Sequence, residues 1–181
     1  MDDIRYAYGK TIFWTQPKGL ERRFELRAQE SLFAVLVFQS PWGTLATSET
    51  AADSWTIKRV GFLNPRVTVR VTGEDENLAI YWPKFWGGGH LKFPDGRQFE
   101  WQSTNFWSTE WCFSDAAENR LLQFKPGTEK PGLKEVMKTQ AQVEITPRAF
   151  SLPELPLLLV LGWYLLVLYQ DDAAAAATTI T

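Results

Sequence analysis

Few residues in this chain are suited to covalent or acid–base chemistry. His90 is the only histidine and Cys112 the only cysteine. A histidine acting as general base needs a nucleophile and an orienting partner. His90 instead follows Trp86-Gly87-Gly88-Gly89 and precedes Leu91, the setting of a strand start at a solvated edge. Cys112 lies in Glu110-Trp111-Cys112-Phe113-Ser114, with no basic neighbour to make it a thiolate, and reads as a small buried hydrophobe. One cysteine excludes an internal disulfide and a Cys-rich zinc site. Gly87-Gly88-Gly89 has the look of a phosphate-cradling loop, but such a loop opens a helix; here His90-Leu91-Lys92-Phe93, a strand pattern, follows. A turn needing positive φ is the better account.

Glu74, Asp75 and Glu76 cluster behind Gly73, without the ligand spacing of a calcium hand, and read as a solvated turn. Lys58, Arg59, Arg66 and Arg70 form the one concentrated basic set on predicted neighbouring strands. If they converge outward they contact phosphate or lipid headgroups; the plainer alternative is a solvated strand face. Trp82, Trp86, Trp101, Trp107 and Trp111 are candidates to line a ligand pocket or simply to fill a core. No nucleophile elbow, zinc-protease or dinucleotide fingerprint is present. The expectation is a non-enzymatic protein with no catalytic residues, no cofactor and no metal.

The elements that carry these residues are strands. Arg66 to Val71 alternates Val67, Val69 and Val71 against Arg66, Thr68 and Arg70. Leu91 and Phe93 precede the turn Pro94-Asp95-Gly96, and Phe99 and Trp101 follow it on the same face. Phe24, Leu26 and Ala28 share one face, as do Ala141, Val143 and Ile145, with Lys138, Gln140, Gln142 and Glu144 opposite. This period of two marks antiparallel strands with one wet face. Ser31 to Gln39 is apolar on both faces and should be covered on both sides. Breakers such as Ser40-Pro41-Trp42-Gly43, Leu63-Asn64-Pro65 and Glu129-Lys130-Pro131-Gly132 recur at short intervals, as in a sandwich or barrel. Nine Trp and twelve Phe favour the same all-β body. Net charge is −2, which gives no electrostatic reason to expect nucleic-acid binding. The N-terminus lacks an apolar signal region, so the expected location is cytoplasmic, with peripheral membrane association allowed.

The end of the chain departs from this pattern. From Leu155 to Tyr169 there is no charged residue, and Leu dominates. Ser151 is placed to cap a helix whose first turn tolerates Pro153 and Pro156. A helix apolar all round must be enclosed by protein or by lipid. Fifteen helical residues reach ~22 Å, short of a ~30 Å hydrocarbon core. Extending the span to Ala177 would bury Asp171 and Asp172. The chemistry favours a plug inside a barrel; the alternative is a tail-anchored protein with a cytosolic β domain, anchored by residues 155–177.

Strands followed by one all-apolar helix resemble the tubby-like barrel superfamily, which includes LURP-one-related proteins and phospholipid scramblases. The stretches carrying the likeness are Asp53 to Val71, Gly87 to Asp115 and Leu121 to Pro126, ahead of the terminal helix. The resemblance implies a mainly β fold, a closed antiparallel barrel enclosing a hydrophobic C-terminal helix. It implies one domain over residues 1–181, with 153–170 the central helix and 171–181 a polar, Ala-rich tail. It also implies a binding role, toward phospholipid or phosphoinositide headgroups or a protein partner, through Lys58, Arg59, Arg66 and Arg70. No stretch resembles the scramblases' acidic calcium-binding segment, and no cysteine cluster offers palmitoylation. A closed barrel has no free edges, so a monomer is expected.

Overall fold

A computed structural model describes residues 1–127 and 140–178. Lys138 and the predicted turn at 129–132 lie outside the described residues. Six strands come first: β1 (Ile12–Thr15), β2 (Arg23–Ala28), β3 (Ser31–Phe38), β4 (Ala46–Thr50), β5 (Ser54–Val60) and β6 (Arg66–Val71). Six more follow: β7 (Ala79–Pro83), β8 (Gly89–Lys92), β9 (Gln98–Ser103), β10 (Trp111–Ser114), β11 (Arg120–Pro126) and β12 (Ala141–Ile145). Each pairs antiparallel with the next, and β1 closes on β12 through Ile12 opposite Val143 and Trp14 opposite Ala141. The fold is mainly β, a closed antiparallel barrel.

Alternation decides which side chains fill the lumen. Trp55 faces Val71 and Ile57 faces Val69 across β5 and β6, all on the inner side. Leu91 faces Phe99 across β8 and β9, as the hairpin pattern required, and both are buried. β3 is buried on both faces, Val35 included. The N-terminal turn Ile4–Ala7 lies near its start, where the Asp2 amide donates to the Leu32 carbonyl at 2.8 Å.

Helix α1 (Leu155–Thr178) runs through the barrel. Every residue from Leu157 to Leu168 is buried, so each of its faces meets an inward strand side chain. The Trp163 ring stacks on Trp14 at 5.6 Å and Tyr164 on Phe38 at 5.4 Å. The indole N–H groups of Trp14 and Trp163 are buried without an acceptor among the described residues. Each costs ~1–3 kcal/mol of desolvation, which the large apolar area of the two rings offsets.

The helix start differs from expectation. Ser151 does not cap α1; its hydroxyl donates to the Arg148 carbonyl at 2.8 Å, inside the short turn Pro147–Ser151. The first turn is organised by Glu154, whose carbonyl accepts from the Leu158 amide at 2.9 Å and whose carboxylate pairs with Arg97. A carboxylate there is favoured by the helix dipole. At the far end the helix does not stop near residue 170 but continues through the alanine run to Thr178.

The two ends of the barrel are therefore distinct. Arg97, in the β8–β9 turn, marks where α1 enters. The loops β1–β2, β3–β4, β5–β6, β7–β8 and β9–β10 surround the end where it leaves.

Candidate functional site

Among the described residues, five hairpin loops stand at the exit end, and each carries a large apolar residue at its tip. Leu20 caps β1–β2 and Trp42 β3–β4. Phe62 and Leu63 occupy β5–β6, Phe85 and Trp86 β7–β8, Phe106 and Trp107 β9–β10. Phe62 is 98% exposed, Trp42 96% and Trp86 93%. None packs into the core, although Phe85 meets Trp86 edge-on at 4.9 Å and Phe106 meets Trp107 at 5.2 Å. Soluble proteins scatter single apolar residues over their surface; five loops at one end doing so together is a patch.

The opposite end has another character. Its loops hold Glu74, Asp75, Glu76, Asp95, Asp115 and Glu118. Tyr6 and Tyr8 are exposed there, Tyr8 against Phe150 at 5.1 Å. The turns β3–β4 and β5–β6 at the exit end contain no charged residue.

Within the ring of tips, the emerging helix is fastened. Arg22 donates to the carbonyls of Pro41 and Gly43 at 2.9 and 3.0 Å and to the Asp171 carboxylate at 2.5 Å. Arg59 donates to Asp172 at 2.6 Å, and this hydrogen bond, opposed by burial, raises the guanidinium pKa. Burial raises the Asp171 pKa despite the nearby arginine charge. The Tyr164 hydroxyl donates to the Thr44 carbonyl at 2.6 Å. Both acidic groups on the exiting helix are thus paired, and Ala173 to Ala177 beyond them carry no charge.

A cleft of about 700 Å³ opens in this end between the β5–β10 rim and the last buried turn of α1. Trp101, Trp111, Leu165 and Leu168 form its apolar side; Arg66 and Lys84 stand at its border. Trp101 and Trp111 stack at 5.5 Å with their planes 12° apart. Lys84 pairs with Glu100, a hydrogen bond that lowers the carboxyl pKa against a smaller effect of burial. Burial raises the Tyr81 pKa beyond the usual phenol range.

The four basic candidates separate. Lys58, Arg66 and Arg70 share the outward parity of β5 and β6, opposite Trp55, Ile57, Val67 and Val69. Arg59 has the inward parity and serves the helix. Arg66 lies over the outer face of Trp82, 5.6 Å from the ring centroid, and Arg70 donates to Asn77 at 2.9 Å. Lys58 is exposed.

His90 lies on the outer face with its Nδ1 3.4 Å from Gln98. Cys112 is buried, and burial, only partly opposed by the Ser114 contact, raises its pKa. Of the tryptophans, Trp101, Trp111 and the loop-tip Trp86 line the cleft, Trp82 lies under Arg66, and Trp107 is a loop tip. Among the described residues no cluster of His, Cys, Asp and Glu is arranged to hold a metal.

The sequence offered Trp86 and Trp107 as pocket or core residues, and Trp42 and Phe62 sit inside turn punctuation, where the breakers hide them. The available signal was apolar pairs at positions that turn chemistry normally leaves to polar residues. The chain matches no protein family, and comparison with curated proteins and with solved structures gave no significant similarity.

Proposed function

We propose that this protein is a non-enzymatic barrel that docks on a phospholipid surface through its exit end. The observation that carries the reading is the ring of exposed apolar loop-tip residues, from Leu20 to Trp107, around the emerging helix. Trp and Phe are the residues that settle at the headgroup level of a bilayer, and their burial there recovers the cost of exposing them. The tips stand apart on separate loops, which suits a fluid surface better than the continuous groove a protein helix needs. Charge supports the same orientation: the acidic loops are at the opposite end, away from an anionic membrane. The paired Asp171 and Asp172 and the uncharged alanines would approach the interface without carrying free charge into it. The resemblance to tubby-like barrels belongs to this proposal, with the contact moved from the outer basic strands to the loop tips.

This is attachment rather than a span. The apolar helix is enclosed by strands, and using it as an anchor would empty the barrel. Flotation of the purified chain with phosphatidylcholine/phosphatidylserine vesicles tests the reading. The wild type should float, alkaline carbonate should release it, and Trp42→Ser/Phe62→Ser/Leu63→Ser should lower the bound fraction at least tenfold. Equal flotation of the triple variant, or none by either protein, rejects docking by the ring. Retention through carbonate would instead favour the tail anchor.

A further inference from the structure

Resting on the docking reading, we propose that the exit-end cleft holds one acyl chain bearing an anionic head group, taken from the surface beneath the ring. Its volume, about 700 Å³, lies within the ~300–1,000 Å³ of small-molecule sites. The inner side is apolar: the stacked Trp101 and Trp111 stand with Leu165 and Leu168 of α1. That surface accepts methylenes, while Gln102, Ser103 and Ser108 place polar groups along the rest of the lining.

The border supplies the charge. Arg59 and Lys84 are matched by Asp172 and Glu100. Arg66 has no carboxylate partner among the described residues and rests on the Trp82 ring. The cleft therefore carries one uncompensated cation, at its rim, where the head of a chain lying along the tryptophans would come to rest. A carboxylate or phosphate matches a guanidinium in geometry as well as charge.

The glycine run lets the loop beside the cleft pack tightly on its neighbours. A Cβ at Gly88 would lie 2.3 Å from the Trp101 carbonyl, and one at Gly89 2.7 Å from the Tyr81 hydroxyl. Gly87 and Gly88 also have φ of +92° and +68°. Without side chains there, the β7–β8 loop lies close against β9, and no side chain from these three positions enters the cleft.

The probe is monomeric oleate, titrated calorimetrically into the full-length protein below its micelle concentration. One site is expected. Across laurate, myristate and palmitate, affinity should change about fourfold per methylene buried. Arg66→Glu should weaken oleate at least tenfold, and uncharged oleyl alcohol should bind the wild type at least tenfold more weakly than oleate. Leu168→Trp fills the cleft and should abolish binding with an unchanged circular dichroism spectrum. If that variant does not fold, Leu165→Phe makes the obstruction more gently. The Trp42→Ser/Phe62→Ser/Leu63→Ser variant should bind oleate as wild type does while losing vesicles, because those residues do not line the cleft. No oleate binding by the wild type, no chain-length dependence, or full binding by a folded cleft-filling variant overturns the proposal. Flotation without oleate binding removes the cleft site alone; oleate binding without flotation removes the docking reading alone.

Discussion

The Phe124 ring of β11 occupies the space where a side chain on Gly162 of α1 would begin: a Cβ built there would lie 2.5 Å from Phe124 Cζ and 3.2 Å from Trp101 Cζ3. The middle of the central helix and the aromatic wall of the barrel are fitted by the absence of one methyl group. Ala at this position gains ~1 kcal/mol of helix propensity but meets an overpacking cost of ~1–3 kcal/mol. Gly162→Ala should therefore be net destabilising by about 1 kcal/mol, and Gly162→Leu by several, in denaturant melts. A stabilised Ala variant would mean that Phe124 moves aside freely.

The helix is the largest contributor to the lumen, so its removal should be decisive. A chain ending at residue 151 loses every buried side chain from Leu155 to Leu168. It should show no cooperative thermal transition and should bind hydrophobic dyes. A soluble, cooperatively folding truncation would show that the strands close without their plug.

The fastening of the exiting helix should be local in effect. The pairs Arg22–Asp171 and Arg59–Asp172 are partly solvated, and such pairs contribute ~0–1 kcal/mol each. Arg59→Ala with Asp172→Asn should leave the melting temperature nearly unchanged while speeding amide exchange over residues 169–177. Faster exchange extending to residues 155–168 would show that the latch holds the whole plug.

Glu25 gives the barrel wall a pH response. It lies on β2 between Arg23 and Arg27, with contacts of 3.1 and 2.7 Å. Burial raises its pKa, but the hydrogen bonds and charges of both arginines outweigh that, and the net shift is downward from 4.5. The folded state thus holds this proton less tightly than the unfolded chain. Its stabilisation is complete above about pH 4.5 and is lost as pH falls through the lower folded value. Glu25→Gln should cost stability at neutral pH, and the gap from wild type should narrow on acidification below 4.5. A gap independent of pH would assign the cost to packing.

The loop tips should be dispensable for folding. With Phe62 98% and Leu63 92% exposed, their replacement by Ser removes almost no native packing. Stability should stay within about 0.5 kcal/mol of wild type. A larger loss would indicate that the β5–β6 turn supports the barrel, and would complicate its use in vesicle assays.

Much of the architecture was legible in the residues. The alternation in Arg66 to Val71 set Val67 and Val69 on one apolar face, and the two-faced apolarity of Ser31 to Gln39 required cover on both sides. A helix without a polar face required enclosure. These are local facts, since period and composition report which side of an element must be dry. The inward turn of Arg59 was available in principle, from its parity with Trp55 and Ile57. Its partner was not, because Asp172 is more than a hundred positions away.

What only the tertiary structure decided is the gathering of distant loops. Trp42, Phe62, Trp86 and Trp107 belong to turns that sequence treats as separate punctuation. An up-and-down barrel brings every second hairpin to the same end, so these four meet around the exit of α1 while Glu74, Asp95 and Asp115 collect at the other. Sequence determined that one face of each strand and every face of the terminal helix must be dry, because burial is specified residue by residue. The two-ended surface arose from closure itself, because only the strand order assigns each loop to an end.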